Sequence, residues 1–168
     1  MADSLSKCVV DTSLLIDLHI GKIIVKLFDL PYSFIAPDVI IAEAQTIDTK
    51  TLIRYGLQKS ELAGEQILKV LQLKAQHRHP SVNDLFALVT AQSMNAVLLT
   101  GDRNLRKVAE LYHVPVHGTL WILDEMVRLE IISSIQAIST LKSMCEQGSR
   151  LPQDECDRRL QNWQKNTH

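Results

Sequence analysis

The first apolar run, Lys7-Cys8-Val9-Val10, reads as a short buried strand. It stops at Asp11-Thr12-Ser13, whose side-chain oxygens suit the free N–H groups of a helix start. Leu14, Leu15, Leu18, Ile24, Leu27 and Phe28 then recur at mostly helical spacing, which predicts helix over 14–30, with Gly21 and the β-branched stretch 23–25 as weak points. Ser33-Phe34-Ile35-Ala36 predicts a second strand. Pro37 sits where a first helical residue belongs and Asp38 in the positive first turn, so a helix should run to about Gln45. The spacing predicts helix over 49–63 and leaves 67–73 open between strand and helix. Ser81 caps a helix over 82–94. Ala96-Val97-Leu98-Leu99 is a continuous apolar run, as expected of a parallel strand covered on both faces. Asp102 opens a helix to about Tyr112, and Val114-Pro115-Val116 is a short strand. From Leu120 onward the pattern is helical, with breaks near Ser133 and over 148–152.

Strands alternating with helices through short connections predict an α/β fold with helices on both faces of a parallel sheet of four or five strands. Ligands of such sheets bind beyond the carboxyl ends of the strands, where strand order reverses. The places to look are therefore just after Val10, Ala36, Leu99 and Val116. A chain of 168 residues is long enough for one well-buried core with a short appendage. With 46% hydrophobic and 22% charged residues it is neither disordered nor collagen-like. Its apolar runs are far shorter than a membrane span, and no signal-peptide pattern opens it. The cysteines Cys8, Cys145 and Cys156 have no metal-type spacing, and Cys8 reads as a small core residue, which fits a cytoplasmic protein. Because the formal net charge is only −1, contact with nucleic acid would need a local basic patch.

Four acids carry the candidate chemistry. Asp11 follows the first strand and Asp102 the strand ending at Thr100, and each alone has an ordinary role as a helix cap. Glu43 lies three and four residues after Ile40 and Val39, which puts it on their apolar stripe. Asp84 aligns with Ala87, Leu88 and Ala91 at offsets of three, four and seven; its ordinary role is an acid in the first helical turn. If the four converge, repulsion keeps one protonated unless a cation joins them. Hard oxygen ligands suit Mg²⁺ or Mn²⁺, and such a site supports metal-assisted phosphodiester hydrolysis.

Val9-Val10-Asp11-Thr12-Ser13, the helical Glu43, Asn83-Asp84 and Leu98-Leu99-Thr100-Gly101-Asp102, in this order and at about this spacing, resemble the PIN domain family. Residues 83–120 are the most specific part, and the resemblance covers about 7–128. It implies an α/β/α sandwich and Mg²⁺- or Mn²⁺-dependent cleavage of single-stranded RNA. Many prokaryotic members are VapC-like toxins held inactive by an antitoxin. By the resemblance Asp11, Glu43, Asp84 and Asp102 match the acidic metal-site positions. Thr12 or Ser13, and Thr100, match hydroxyls that hydrogen-bond the carboxylates or a metal-bound water. Asn104 falls where some members place a further acid, and here it carries no charge. The expected division is a nuclease unit over 1–130 and a helical extension over 131–168, packed on that unit or on a partner. Expected partners are RNA, an antitoxin and a second copy of the chain, as a homo-oligomer (dimer); no membrane is involved.

His77, Arg78, His79, Lys50, Arg54, Arg103 and Arg106 are candidate RNA contacts, with Arg103 favoured because it adjoins Asp102. His77 and His79 have a spacing that can grip a metal, but a solvent loop is the simpler reading. His113 and His117 flank a strand and read as structural, while Gly118 and Thr119 are placed to line the cleft edge. The stripes Ile135, Ile138, Leu141, Cys145 and Cys156, Leu160, Trp163 read as docking onto the chain's own sheet, with a surface for a second copy or an inhibitor as the alternative. Two other classes stand beside the nuclease reading. One is a catalytically weak RNA- or protein-binding module on the same scaffold. The other is a phosphoaspartyl protein, whose phosphatase pattern needs a second Asp at the position held by Ser13, and whose receiver pattern needs a Lys that 117–119 does not offer.

Overall fold

The computed structural model describes residues 5–167. Five parallel strands, β1 (Ser6–Val10), β2 (Tyr32–Pro37), β3 (Gln58–Ser60), β4 (Val97–Leu99) and β5 (Val116–His117), form one sheet in the order β3-β2-β1-β4-β5. Strand order reverses between β1 and β4, where Cys8 pairs with Val97 and Val10 with Leu99. The helices are α1 (Thr12–Ile20), α2 (Asp38–Glu43), α3 (Thr49–Tyr55), α4 (Gly64–Gln76), α5 (Val82–Met94), α6 (Arg103–Leu111), α7 (Thr119–Arg128), α8 (Ser134–Glu146) and α9 (Gln153–Lys165), with a 3-10 helix at Ile24–Asp29.

Alternation along the strands builds two apolar layers. Cys8, Val10, Phe34, Ala36 and Leu99 face a core completed by α1, the 3-10 helix, α7, α8 and α9. Val9, Ile35 and Leu98 face the opposite way, against α4, α5 and α6. The chain is thus an α/β/α sandwich. Crossover helices run antiparallel to the strands, so the first turns of α1, α5, α6 and α7 all lie at the carboxyl edge of the sheet.

Four boundaries differ from the sequence pattern. The helix expected over 14–30 ends at Ile20, capped by Gly21, and the chain turns out at Lys22 with φ 57°; at Gly21 α8 packs so close that a Cβ would stand 2.4 Å from the Met144 methyl and 2.9 Å from Thr140 Cγ2. The helix expected over 49–63 stops at Tyr55, where Gly56 takes φ 127°, and the chain then adds the edge strand β3. The undecided stretch 67–73 is helical, within α4. The last expected strand is shifted to Val116–His117, and the helix after Pro37 ends at Glu43 rather than Gln45. Ser133 and Pro152 cap α8 and α9, where breaks were expected. Trp163 and Cys156 are buried in the chain's own core, so that stripe is not a free surface. Among the described residues no helix is long and apolar enough to cross a membrane.

Candidate metal centre

Asp11 leaves β1 at the point of strand reversal and caps α1, accepting from Leu14 N–H at 3.0 Å. It is buried, and its carboxylate is held by hydroxyls rather than cations. Ser13 Oγ lies 2.8 and 2.9 Å from its two oxygens, and Thr100 Oγ1 donates to Oδ2. Thr100 in turn accepts from Asp102 N–H at 3.0 Å, and Ser13 Oγ accepts from Gly101 N–H at 2.9 Å. These bonds fasten the turn after β4 to the turn after β1, so a hydroxyl at each position fixes the relative placement of Asp11 and Asp102. Burial pushes the Asp11 carboxyl up to about 7 against the pull of Thr100, Leu14 N–H and Ser13, and the charge of Asp84 pushes the same way.

Asp84 is half-buried in the first turn of α5. A reciprocal box holds it: Asp84 N–H donates to Ser81 Oγ at 3.0 Å and Ser81 N–H to Asp84 Oδ2 at 2.7 Å. Its carboxyl is raised above the ordinary range, chiefly by burial, with Asp102 and Glu43 adding to the rise. Asp102 Oδ1 caps α6 through Leu105 N–H at 2.7 Å. Glu43 accepts from Thr12 Oγ1 at 2.5 Å. Asp84 thus lies within the fields of Asp11, Asp102 and Glu43, at the carboxyl edge of the sheet.

The buried-face reading of Glu43 is corrected. Its helix is only six residues long, Ile40 is its one buried side chain, and Glu43 at its end is exposed. Asn104 is exposed on α6 and takes part in none of the described hydrogen bonds. Arg103 is exposed and lines a cavity beside the acids. His77 binds Tyr112 Oη through Nε2 at 2.9 Å, joining the ends of α4 and α6 rather than gripping an ion.

Asp17 was not anticipated. It is buried one turn after Ser13, accepts from Thr119 Oγ1 at 2.7 Å, and lies under Gly101, where a Cβ would stand 3.1 Å from its Oδ2. A polar residue between Leu14 and Leu18 on the inward face of α1 was the available signal. His117, read as structural, stacks on Trp121 with centroids 4.2 Å apart and planes 7° apart, and both line the same cavity as Arg103.

Among the described residues no three His, Cys, Asp or Glu side chains stand preassembled as a metal cage. Asp84 and Asp102 each turn an oxygen to a helix start. The donor set nonetheless fits a hard divalent ion. It is all carboxylate and hydroxyl oxygen, and the buried Asp11 has no positive partner among its hydrogen bonds.

The family model DUF3368, described as a PIN domain, matches residues 7–165. No curated protein matches. Among solved structures, the fold is similar to PAE2754 from Pyrobaculum aerophilum, at 17% identity and TM-score 0.50, over 73% of this chain and 90% of that one. A PilT N-terminus domain protein from the archaeon Sulfolobus solfataricus P2 aligns at 16% identity and TM-score 0.49, over 70% of this chain and 91% of that one. A parallel sandwich with carboxylates gathered at its strand reversal, matched by that model over nearly its whole length, makes this chain a member of the PIN domain family.

Proposed function

We propose that the chain is a divalent-metal-dependent endoribonuclease that hydrolyses single-stranded RNA. PIN domains are generally nucleases. The finer reading is supported by one observation above the others: a buried Asp11 carboxyl, raised to about 7, lies in the field of Asp84 and is held only by neutral donors. Asp11, Glu43, Asp84 and Asp102 would hold Mg²⁺ or Mn²⁺. When bound, the ion would supply Lewis-acid stabilisation of the charge that develops on a phosphodiester during hydrolysis. Thr100 and Ser13 donate to Asp11, which fixes the direction of its oxygens and favours its ionised form. Thr12 orients Glu43, an exposed acid placed to accept a proton at Oε1, the oxygen Thr12 leaves free. Repression by an antitoxin, a homodimeric state and action in the cytoplasm belong to the same proposal.

The test is cleavage of end-labelled single-stranded RNA in Mn²⁺ or Mg²⁺. Cleavage is expected, with loss in EDTA and a fall of at least a hundredfold in Asp11→Asn and Asp84→Asn. Equal cleavage by wild type and Asp11→Asn would assign the activity to a contaminant. Binding with no cleavage would leave an RNA-binding module on the same scaffold.

A further inference from the structure

A cavity of about 350 Å³ opens beside the acids, sharing Thr100 and Gly101 with them. Its walls come from the ends of β4 and β5, the first turns of α6 and α7, and the segment leading into α9. That volume lies in the range of sites for small ligands or single nucleotides.

Its charge contrasts with that of the neighbouring cleft. Arg103, Arg106, Arg150 and Arg159 all line it. Arg159 is already committed to Asp124 at 2.8 Å and Glu155 at 3.2 Å. Among the described residues the other three enter no ion pair. Arg106 is the most telling of them. It is half-buried, its guanidinium makes none of the described hydrogen bonds, and it lies over Gly118, where a Cβ would stand 2.7 Å from Nη2. Holding a guanidinium partly out of water without an acceptor is costly, so the position fits an anion supplied from outside. Glycine at 118 leaves the room for it.

Beside Arg106 is a flat apolar surface. The near-parallel His117–Trp121 stack is half-buried, and both rings reach the cavity. Burial and the Arg106 charge hold His117 below its usual range, so at neutral pH its ring presents little charge of its own. Unpaired cations beside an aromatic platform are what an unpaired nucleotide requires: phosphate on guanidinium, base on ring. A base held in a duplex cannot enter such a recess.

We propose that this cavity is a subsite for one nucleotide of single-stranded RNA, its phosphate held by Arg103 and Arg106 and its base set against the Trp121–His117 stack. Arg150, brought by the segment before α9, contacts the flanking backbone. That the occupant is substrate rests on the nuclease reading above; that it is an unpaired nucleotide rests on the cavity alone.

The test is binding of a fluorescein-labelled single-stranded octaribonucleotide to the full chain in EDTA, read by anisotropy. Arg106→Gln and Trp121→Leu are each expected to weaken binding by roughly tenfold. Arg106→Gln should also flatten the dependence of log K on log salt by about 0.7, the contribution of one phosphate contact. Lys69→Gln, on α4, is the control and should bind as wild type does. Trp121→Phe covers the case in which Trp121→Leu fails to fold, and it should bind between wild type and Arg106→Gln. The same sequence as a duplex should bind at least tenfold more weakly. Failure of the wild type to bind, or binding by Arg106→Gln and Trp121→Phe within twofold of wild type, overturns the subsite. Cleavage in Mn²⁺ that persists with unchanged KM in those variants sinks the subsite and spares the nuclease. Variant-sensitive binding without any cleavage does the reverse.

Discussion

At the scale of single residues, Asp11 concentrates the physical tension of the molecule. Its carboxyl is raised to about 7 by burial, and Asp84 is raised in the same direction. Between the ordinary carboxylate value and about 7, the folded state holds a proton that the unfolded chain has released. Stability without metal must therefore fall as pH rises through that window. In EDTA the Tm of the wild type should drop between pH 4.5 and 8, and Asp11→Asn should remove most of the drop. Millimolar Mg²⁺ at pH 8 should restore Tm in the wild type and not in Asp11→Asn. Parallel melting curves for both proteins would remove Asp11 from this role. Thr100 offers a second residue-scale test, since its hydroxyl serves both the Asp11 carboxylate and the Asp102 N–H. Thr100→Val keeps the shape and strands both partners, which should cost about 1–3 kcal/mol in urea denaturation. Thr100→Ser should recover most of that and most of the cleavage rate. The capping bonds also bear on how the acids are tested. Asp102 caps α6, so alanine there removes a cap worth about 0.5–2 kcal/mol along with the charge, and alanine at 84 breaks the reciprocal box with Ser81 along with its charge. Asparagine separates the two effects.

At the scale of elements, legibility in the sequence tracked local chemistry. β1, α5, β4 and α6 could be read because a continuous apolar run or a cap marks each of them. Gln58-Lys59-Ser60 carries no apolar residue, so β3 is a strand only because β2 offers it an edge, and its pairing with residues 35–37 was invisible. The lack of room for a side chain at Gly21 is set by Met144 and Thr140, more than a hundred residues later. The acids were legible as residues following strands or opening helices, but the exposure of Glu43 was not, because it depends on how few turns α2 makes. Nor was Asp17, whose partner Thr119 opens a distant helix. That Asp17–Thr119 bond ties α1 to α7 beneath the Gly101 turn. Asp17→Ala and Thr119→Val should each destabilise by about 1–3 kcal/mol, because each leaves a buried polar partner unmet. In a double-mutant cycle the pair should cost clearly less than the sum. Strict additivity would mean that the bond contributes nothing.

At the scale of the whole molecule, one end of the sheet carries both signs of charge, acids at the strand reversal and arginines beside them, although the net charge is only −1. The arrangement depends on the last helix. α9 buries Trp163 and Cys156 in the same core as α1, and Arg159 on its outer side helps wall the cavity. Trp163→Ala should therefore destabilise the whole molecule by about 3–5 kcal/mol, seen as a shift of a single cooperative urea transition. A local loss near the C-terminus with the main transition unmoved would show that α9 is only an accessory.

The bond from Thr100 to Asp11 spans 89 positions of sequence, and the helix that completes their shared core is the last one described. A nascent chain that has already produced Asp11, Glu43, Asp84 and Asp102 therefore still lacks the helix against which their supporting layer closes. Assembly of the acidic cleft is thus set late in translation, by the docking of α9 rather than by the appearance of the acids themselves.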